Sequence, residues 1–433
     1  MISNQAEGAK QPVMGAVVLS VLWLVAAFVS HAMAHAATQT SPVWLGSGIT
    51  FAVLLIAARW TWPILLAGVT LAAVAWGMIG HQLSVGPAIV YASVEVLSMA
   101  LGAWVTTLAR HDHAAPMGVA LMLIGALVAS LAGATLSSSM WLWLRPGVDF
   151  GFEWRTWFLS TLVGLLLIPP LVIAFRGFRV RRSGGLPMPP FLGGAAAFIT
   201  FIVVLLLVFA DHAEQRWGDV AATLAYLPMP FLLATALLWG PRGGSLATLI
   251  GALLIIGRTA HGGGPFAVHE GFPGEAVIEV QGFVTAWVTV MLFARALAES
   301  RRLALVRARD WQLRYERTLR ALGVVSVEYD AVTHSAMWGD GAAEVLGPVA
   351  AGAANLHDWL DLIDPSERGL VQAAWHAVAD GTRAAGEQAY TLRLPGGSTL
   401  RVRERLAAVR GGDDRIERVV ALLDLAPAES FHG

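Results

Sequence analysis

The sequence predicts a polytopic α-helical membrane bundle of about ten spans followed by a C-terminal cytoplasmic α+β domain. Three observations carry this. The 433 residues are 56% hydrophobic and only 14% charged, too apolar for an ordinary soluble globule. Before about residue 300 the apolar residues gather in repeated stretches close to the ~20 residues that cross ~30 Å of hydrocarbon. Beyond that point charges become frequent, and short alternating segments replace the long runs.

Taken in order, the apolar runs predict helices over about 14–37, 42–58, 61–79, 84–109, 115–143, 153–175, 189–210, 221–240, 243–257 and 275–298. The first run begins near Met14, is too long for a signal-peptide core and leads directly into further spans, so it reads as an anchor with residues 1–13 in the cytoplasm. That placement puts Lys10, Arg59, Arg110, Arg176, Arg179, Arg181, Arg182, Arg242 and Arg295 at cytoplasmic ends. Arg145, Arg155, Arg216 and Arg258 then face the other side, as the positive-inside rule requires, and an even span count returns the C-terminus to the cytoplasm. Lys10 is the single lysine against 28 arginines, a bias that fits a GC-rich bacterial gene. Trp44, Trp60, Trp62, Trp141, Trp143, Trp154 and Trp157 cluster at span ends and read as headgroup anchors. Pro169, Pro170, Pro228 and Pro230 interrupt predicted helices, where neighbours must compensate the freed backbone groups.

Several membrane stretches together resemble a known family, the first type of membrane-associated sensor (MASE) domain of bacterial signalling proteins. They are "SPVWLGSGITFAVLLIAARWTWPILLAGV" (41–69), "EWRTWFLSTLVGLLLIPPLVIAF" (153–175), "LPMPFLLATALLWGPRGGSLATLIGALLIIGRTAHGGGPFA" (227–267) and "VQGFVTAWVTVML" (280–292). The joint order of these blocks implies a sensory membrane domain over 14–298. Thr161 stands where the family often has an acid.

Five candidate signal-site residues lie in this region. Glu95 sits in "IVYASVEVLSMALGAW", far from either end of its predicted span. A carboxylate in hydrocarbon must face the bundle interior, be paired or be protonated; it reads as a signal-binding or proton-responsive acid, or as a neutral carboxyl bonded to a neighbouring helix. Glu279 and Gln281 form a second polar pair near the start of the last span. His31 and His35, four apart, would share a helix face. They have no evident partner pair for zinc or haem, so no metal is predicted. His111 and His113 flank Asp112 in a turn, and the glycines of "GRTAHGGGPF" lack the Lys-Ser/Thr of a P-loop. With no cysteine there is no disulfide, thiolate metal site or thiol nucleophile.

From Leu292 the last span continues without glycine or proline into a predicted signalling helix over 299–322. Leu305, Ala308, Gln312, Tyr315, Leu319 and Leu322 recur at coiled-coil spacing, with Leu305, Gln312, Tyr315 and Leu319 the candidate seam of a homodimer and Gln312 its polar register residue. A lone amphipathic connector is the alternative. Segments 323–425 then alternate as strands around short helices, leaving 426–433 as a tail. They resemble a PAS domain through Trp338, "VLG" (345–347), "LIDPSER" (362–368), "LPGGSTLRVRERL" (394–406) and "LLDL" (422–425). Gly411, Gly412, Asp413 and Asp414 are a near miss of the GGDEF cyclase signature. Strands of similar length flank them and only 19 residues follow Asp414, so they read as a hairpin turn.

These readings predict an inner-membrane signal receptor, with no catalytic residue, no cofactor and no nucleic-acid partner. An unknown small ligand is the signal, and a histidine kinase or diguanylate cyclase the effector implied by the resemblance. The alternative is a transporter or channel with a regulatory cytoplasmic domain, which broken helices and Glu95 would also suit.

Overall fold

The computed structural model describes residues 2–35, 38, 40–108, 115–145, 147–177, 187–211, 218–267, 272, 274–339, 341–394, 397–412 and 414–427. Arg110, His111, Asp112, His113, Arg179, Arg181, Arg182, Arg216 and Asp413 lie outside them. The chain divides into two compact units, Met1–Arg302 and Leu303–Gly433.

The first unit begins with α1 (Ile2–Ala32), α2 (Leu45–Ile56), α3 (Trp62–Ile79), α4 (Val85–Leu108), α5 (Ala115–Leu144) and α6 (Phe150–Phe175). It continues with α7 (Met188–Val208), α8 (Ala221–Leu224) and α9 (Met229–Ala260), and α10 (Glu275–Ala321) then runs on into the second unit. The helices are inverted relative to a soluble bundle. On α1, Val17, Val21, Val25 and Phe28 are exposed, while Leu19, Trp23, Ala26 and Ser30 are buried, as expected when the solvent is lipid. Close approach depends on small residues. A Cβ on Gly48 of α2 would collide with the carbonyl of Gly164 on α6, and one on Gly164 with the carbonyl of Trp44; Gly102 and Gly125 oppose each other in the same way between α4 and α5.

Among the described residues, eight helices are long and apolar enough to cross a membrane. The expected count of about ten differs at two places. The run predicted over 42–58 forms the 12-residue α2, ~18 Å long where ~30 Å is needed. Glycine and serine put a small, polar face on it, so it is buried among its neighbours. The pair predicted over 221–240 and 243–257 becomes α9, which is broken at Gly240 (φ 66°, ψ −157°). An added Cβ on Gly244 would lie 2.9 Å from Ala236 Cβ, although residues eight apart in a straight helix are separated by ~12 Å. The chain therefore reverses at Gly240, whose conformation favours a residue without Cβ, and Pro241 starts the new helix. The first arm, from Met229 to Gly240, is too short to span alone.

The second unit is an α+β domain. Strands β1 (Val324–Asp330), β2 (Ala336–Trp338), β3 (Ala385–Arg393), β4 (Thr399–Arg410) and β5 (Ile416–Pro427) form an antiparallel sheet in the order β2-β1-β5-β4-β3. Between β2 and β3 come α11 (Ala342–Val345), α12 (Pro348–Gly352), α13 (Leu356–Asp361) and α14 (Pro365–Ala379). Alternation sends Val325, Val327 and Tyr329 of β1, Val402 and Leu406 of β4, and Val419, Ala421 and Leu423 of β5 into one core with Trp359, Trp375 and Val378. Asn355 and Asp358 close a capping box on α13. Asp364 caps α14; its hydrogen bonds from Ser366, and then from Arg393, hold its carboxyl down to about 2. The glycine pair before Asp413 belongs to the β4–β5 turn, where Gly411 N–H donates to the Arg415 carbonyl (2.8 Å) and Arg410 pairs with Asp414 (3.4 Å).

Candidate signal-binding pocket

At the end of the bundle where α1, α3 and α5 finish and α2, α4 and α6 begin, a cavity of about 340 Å³ opens between helix ends. Its aromatic walls are Trp44, Trp76, Trp141 and Trp157, with His31 and His81, and Arg145 and Glu153 add charge. Trp76 is the hub, its ring 5.0 Å from Phe28, 5.6 Å from His31, 6.1 Å from Trp44 and 6.4 Å from His81. His81 in turn lies 5.1 Å from Tyr91 and 5.5 Å from Trp141, and the Arg145 guanidinium stands 4.6 Å over the Trp141 ring. Burial, helped by His31 and Arg145, pushes the His81 imidazole down to about 4, so it is neutral at pH 7. Trp76 Nε1, His81 Nε2 and the Tyr91 hydroxyl are buried without a hydrogen-bond partner among the described residues. Indole and imidazole planes beside one guanidinium and one carboxylate suit such a cavity to a small ligand with a flat or ring-shaped body.

One turn beyond Tyr91, Glu95 is buried inside the bundle and accepts a hydrogen bond from Ser47 Oγ at 2.6 Å. It therefore ties α4 to α2 beneath the Trp44 wall rather than facing lipid. Gln281 is fully buried on α10 and donates from Nε2 to the Pro42 carbonyl at 2.8 Å, two residues before Trp44. Glu279, by contrast, is exposed on α10.

The two candidate histidines separate. α1 ends at Ala32, so His35 leaves the helix and does not share a face with His31; its Nδ1 lies 3.2 Å from Thr38 Oγ1. Of these two, His31 lines the cavity. Among the described residues no three His, Asp or Glu converge to hold a metal. The tryptophan reading divides as well: Trp60 and Trp143 are exposed as headgroup anchors should be, whereas Trp44 and Trp141 are buried in the pocket wall. Sequence reasoning missed His81, Tyr91 and Glu153 and used Arg145 only for orientation. The available signal was topological, since alternating helices bring Trp44, Trp141 and Trp157 to one end.

The second unit buries a polar cluster of its own. Glu404 of β4 is fully buried, and its Oε2 accepts from Gln388 Nε2 (2.6 Å) and Trp375 Nε1 (3.2 Å). The Tyr329 hydroxyl is buried without a partner among the described residues. Burial pushes the carboxyl up to about 7, against the downward pull of its hydrogen bonds. Trp359 Nε1 donates to the Tyr390 hydroxyl at 2.9 Å beside it.

A helical membrane unit joined in sequence to a small α+β unit defines an integral membrane protein. A family model described as MASE1 matches residues 16–302, more than half of the chain, and the protein belongs to that family. It is thus a membrane sensor by family. No curated protein matches the chain. Solved structures are also similar to part of it. One is described as a sensory box histidine kinase/response regulator from Burkholderia thailandensis E264 (14% identity, 26% of this chain and 84% of that one, TM-score 0.21). Another is described as a domain of a light and redox sensing histidine kinase from Haloarcula marismortui (16% identity, 26% of this chain and 97% of that one, TM-score 0.21).

Proposed function

We propose that this chain is the sensory part of an inner-membrane receptor, with both termini in the cytoplasm and the aromatic pocket at the outer face. A small ligand in that pocket biases the helices, α10 carries the change, and a PAS-like module over 323–425 passes it to a histidine kinase, a diguanylate cyclase or another effector. The observation that carries the reading is the Gln281–Pro42 hydrogen bond. It joins the segment that forms the pocket wall at Ser41 and Trp44 to the helix that continues through residues 299–321. A ligand with different affinity for two arrangements of that wall would shift α10 between them.

The sheet order and the helices placed between β2 and β3 support the PAS-like reading of the second unit. Along the proposed signalling helix, Leu305 and Tyr315 are exposed, as are Leu303, Val306, Trp311 and Leu313, and Gln312 is held by Glu316 at 3.0 Å. The uncovered Leu305 and Tyr315 support a second copy across the Leu305, Gln312, Tyr315 and Leu319 seam, while Leu303, Val306 and Leu313 lie on the opposite side of the helix.

The test uses the absence of native cysteine. Single cysteines at 305, 312 and 319 should crosslink efficiently in membranes, and cysteines at 307 and 314 poorly. Gln281→Leu, which leaves the Pro42 carbonyl unpaired at a cost of roughly 1–3 kcal/mol, should shift that crosslinking pattern although it lies far along the helix. Equal crosslinking at all five positions, unchanged by Gln281→Leu, would overturn the dimeric transmission. Solute flux by the purified protein in proteoliposomes would replace the receptor with a transporter.

A further inference from the structure

At the opposite end of the membrane unit, a larger cleft of about 520 Å³ opens where α2, α4 and α6 finish and α9 turns back. Its walls are largely apolar, with Ile56, Met122, Ile173, Leu237 and Leu292 converging from five helices. Ile173 and Leu237 are exposed, so the cleft opens toward the hydrocarbon. One stripe of α10 forms its floor: Leu292, Arg295, Ala296, Glu299 and Arg302, spaced as one helix face requires. Three guanidinium groups, of Arg176, Arg295 and Arg302, line it against the single carboxylate of Glu299. Arg295 is committed, with Nη1 on Ser245 Oγ and Nη2 on the Pro241 carbonyl, both at 2.9 Å. It fixes α10 to the reversal at Gly240. Arg302 lies 3.9 Å from Glu299 in an exposed pair that contributes little. Arg176 and Arg302 are thus the groups placed to receive an anion.

We propose that this cleft is a binding site for an anionic phospholipid, its phosphate between Arg176 and Arg302 and its upper acyl chains along the apolar walls. A free phosphate would leave those walls unmatched, and a zwitterionic lipid would leave the excess positive charge unanswered. An occupant here touches the face of α10 that leaves the membrane unit, so the anionic lipid content of the bilayer becomes an input to the same helix.

The test is native mass spectrometry of the full chain in mild detergent with equal amounts of phosphatidylglycerol and phosphatidylethanolamine. The expected result is preferential retention of phosphatidylglycerol, by about five-fold for each guanidinium engaged. Arg176→Gln with Arg302→Gln, both exposed, should abolish the preference while leaving the fold intact. Gly118 lines the cleft, and an added Cβ there meets nothing within 4 Å. Gly118→Trp should therefore fill the space and reduce retention of both lipids without changing charge. Equal retention of the two lipids, or a preference that survives both variants, would overturn the site. So would displacement of the lipid by millimolar inorganic phosphate, which would make it a phosphate site.

Discussion

Hydrogen exchange at the β4 amides should lose protection as pH rises from about 4.5 to about 7, and Glu404→Gln should remove that dependence. The sign follows from linkage. The folded state raises the Glu404 pKa above its unfolded value, so the folded form holds the proton over this window and the unfolded form does not. The stabilisation is complete below the unfolded value and is lost as pH climbs through the folded one. A displacement from 4.5 to about 7 corresponds to roughly 3 kcal/mol, a large share of the stability of a small domain. Glutamine keeps the shape and cannot ionise, so its protection should stay flat once intrinsic exchange rates are corrected. Wild-type protection that is flat over the same range would mean that Glu404 does not titrate there.

Gly164→Leu should be the most damaging single change in the membrane unit. The first atom of the new side chain would fall on the Trp44 carbonyl, which is backbone and cannot swing aside. α2 and α6 would have to separate, breaking the bond from Trp44 N–H to the Ser160 carbonyl (3.0 Å) and pulling Trp44 from the pocket. Overpacking against side chains costs about 1–3 kcal/mol, and backbone contact should cost more. Gly282→Leu is the control: its Cβ meets nothing within 4 Å, and leucine favours a helix interior over glycine by up to ~1 kcal/mol. Thermal unfolding in detergent should show a large fall for the first variant and no loss for the second. Similar melting of both would mean that α2 and α6 are not packed this closely.

The membrane character was legible because hydropathy reports length and polarity directly. The α2 region misled because its apolar run is as long as a span, while Ser47, Gly48 and the flanking prolines mark a short buried helix only once its partner on α6 is known. A helix boundary between 240 and 243, where the chain reverses at Gly240, was legible, but not the late start at Met229 that leaves the first arm too short to span. His31 and His35 obey helix spacing only if the helix extends past Ala32, and end position is the weakest thing periodicity reports. Glu404 was available and overlooked. In "RVRERL" strict alternation puts it on the same face as Val402 and Leu406, so one face-by-face count of β4 finds a buried acid. The pocket was less accessible, since His81, Arg145 and Glu153 come from three separate stretches and meet only through the topology.

The shortness of α2 has a consequence for biosynthesis. A 12-residue helix cannot settle across the bilayer when it leaves the ribosome, and the partners that bury it, Glu95 through Ser47 and Gly164 through Gly48, are synthesised later. Insertion must therefore be completed out of order, with α2 held near the headgroups until α6 arrives to draw it in. The wall that carries Trp44 forms only at that moment, so the aromatic cavity and the membrane fold are completed in the same step.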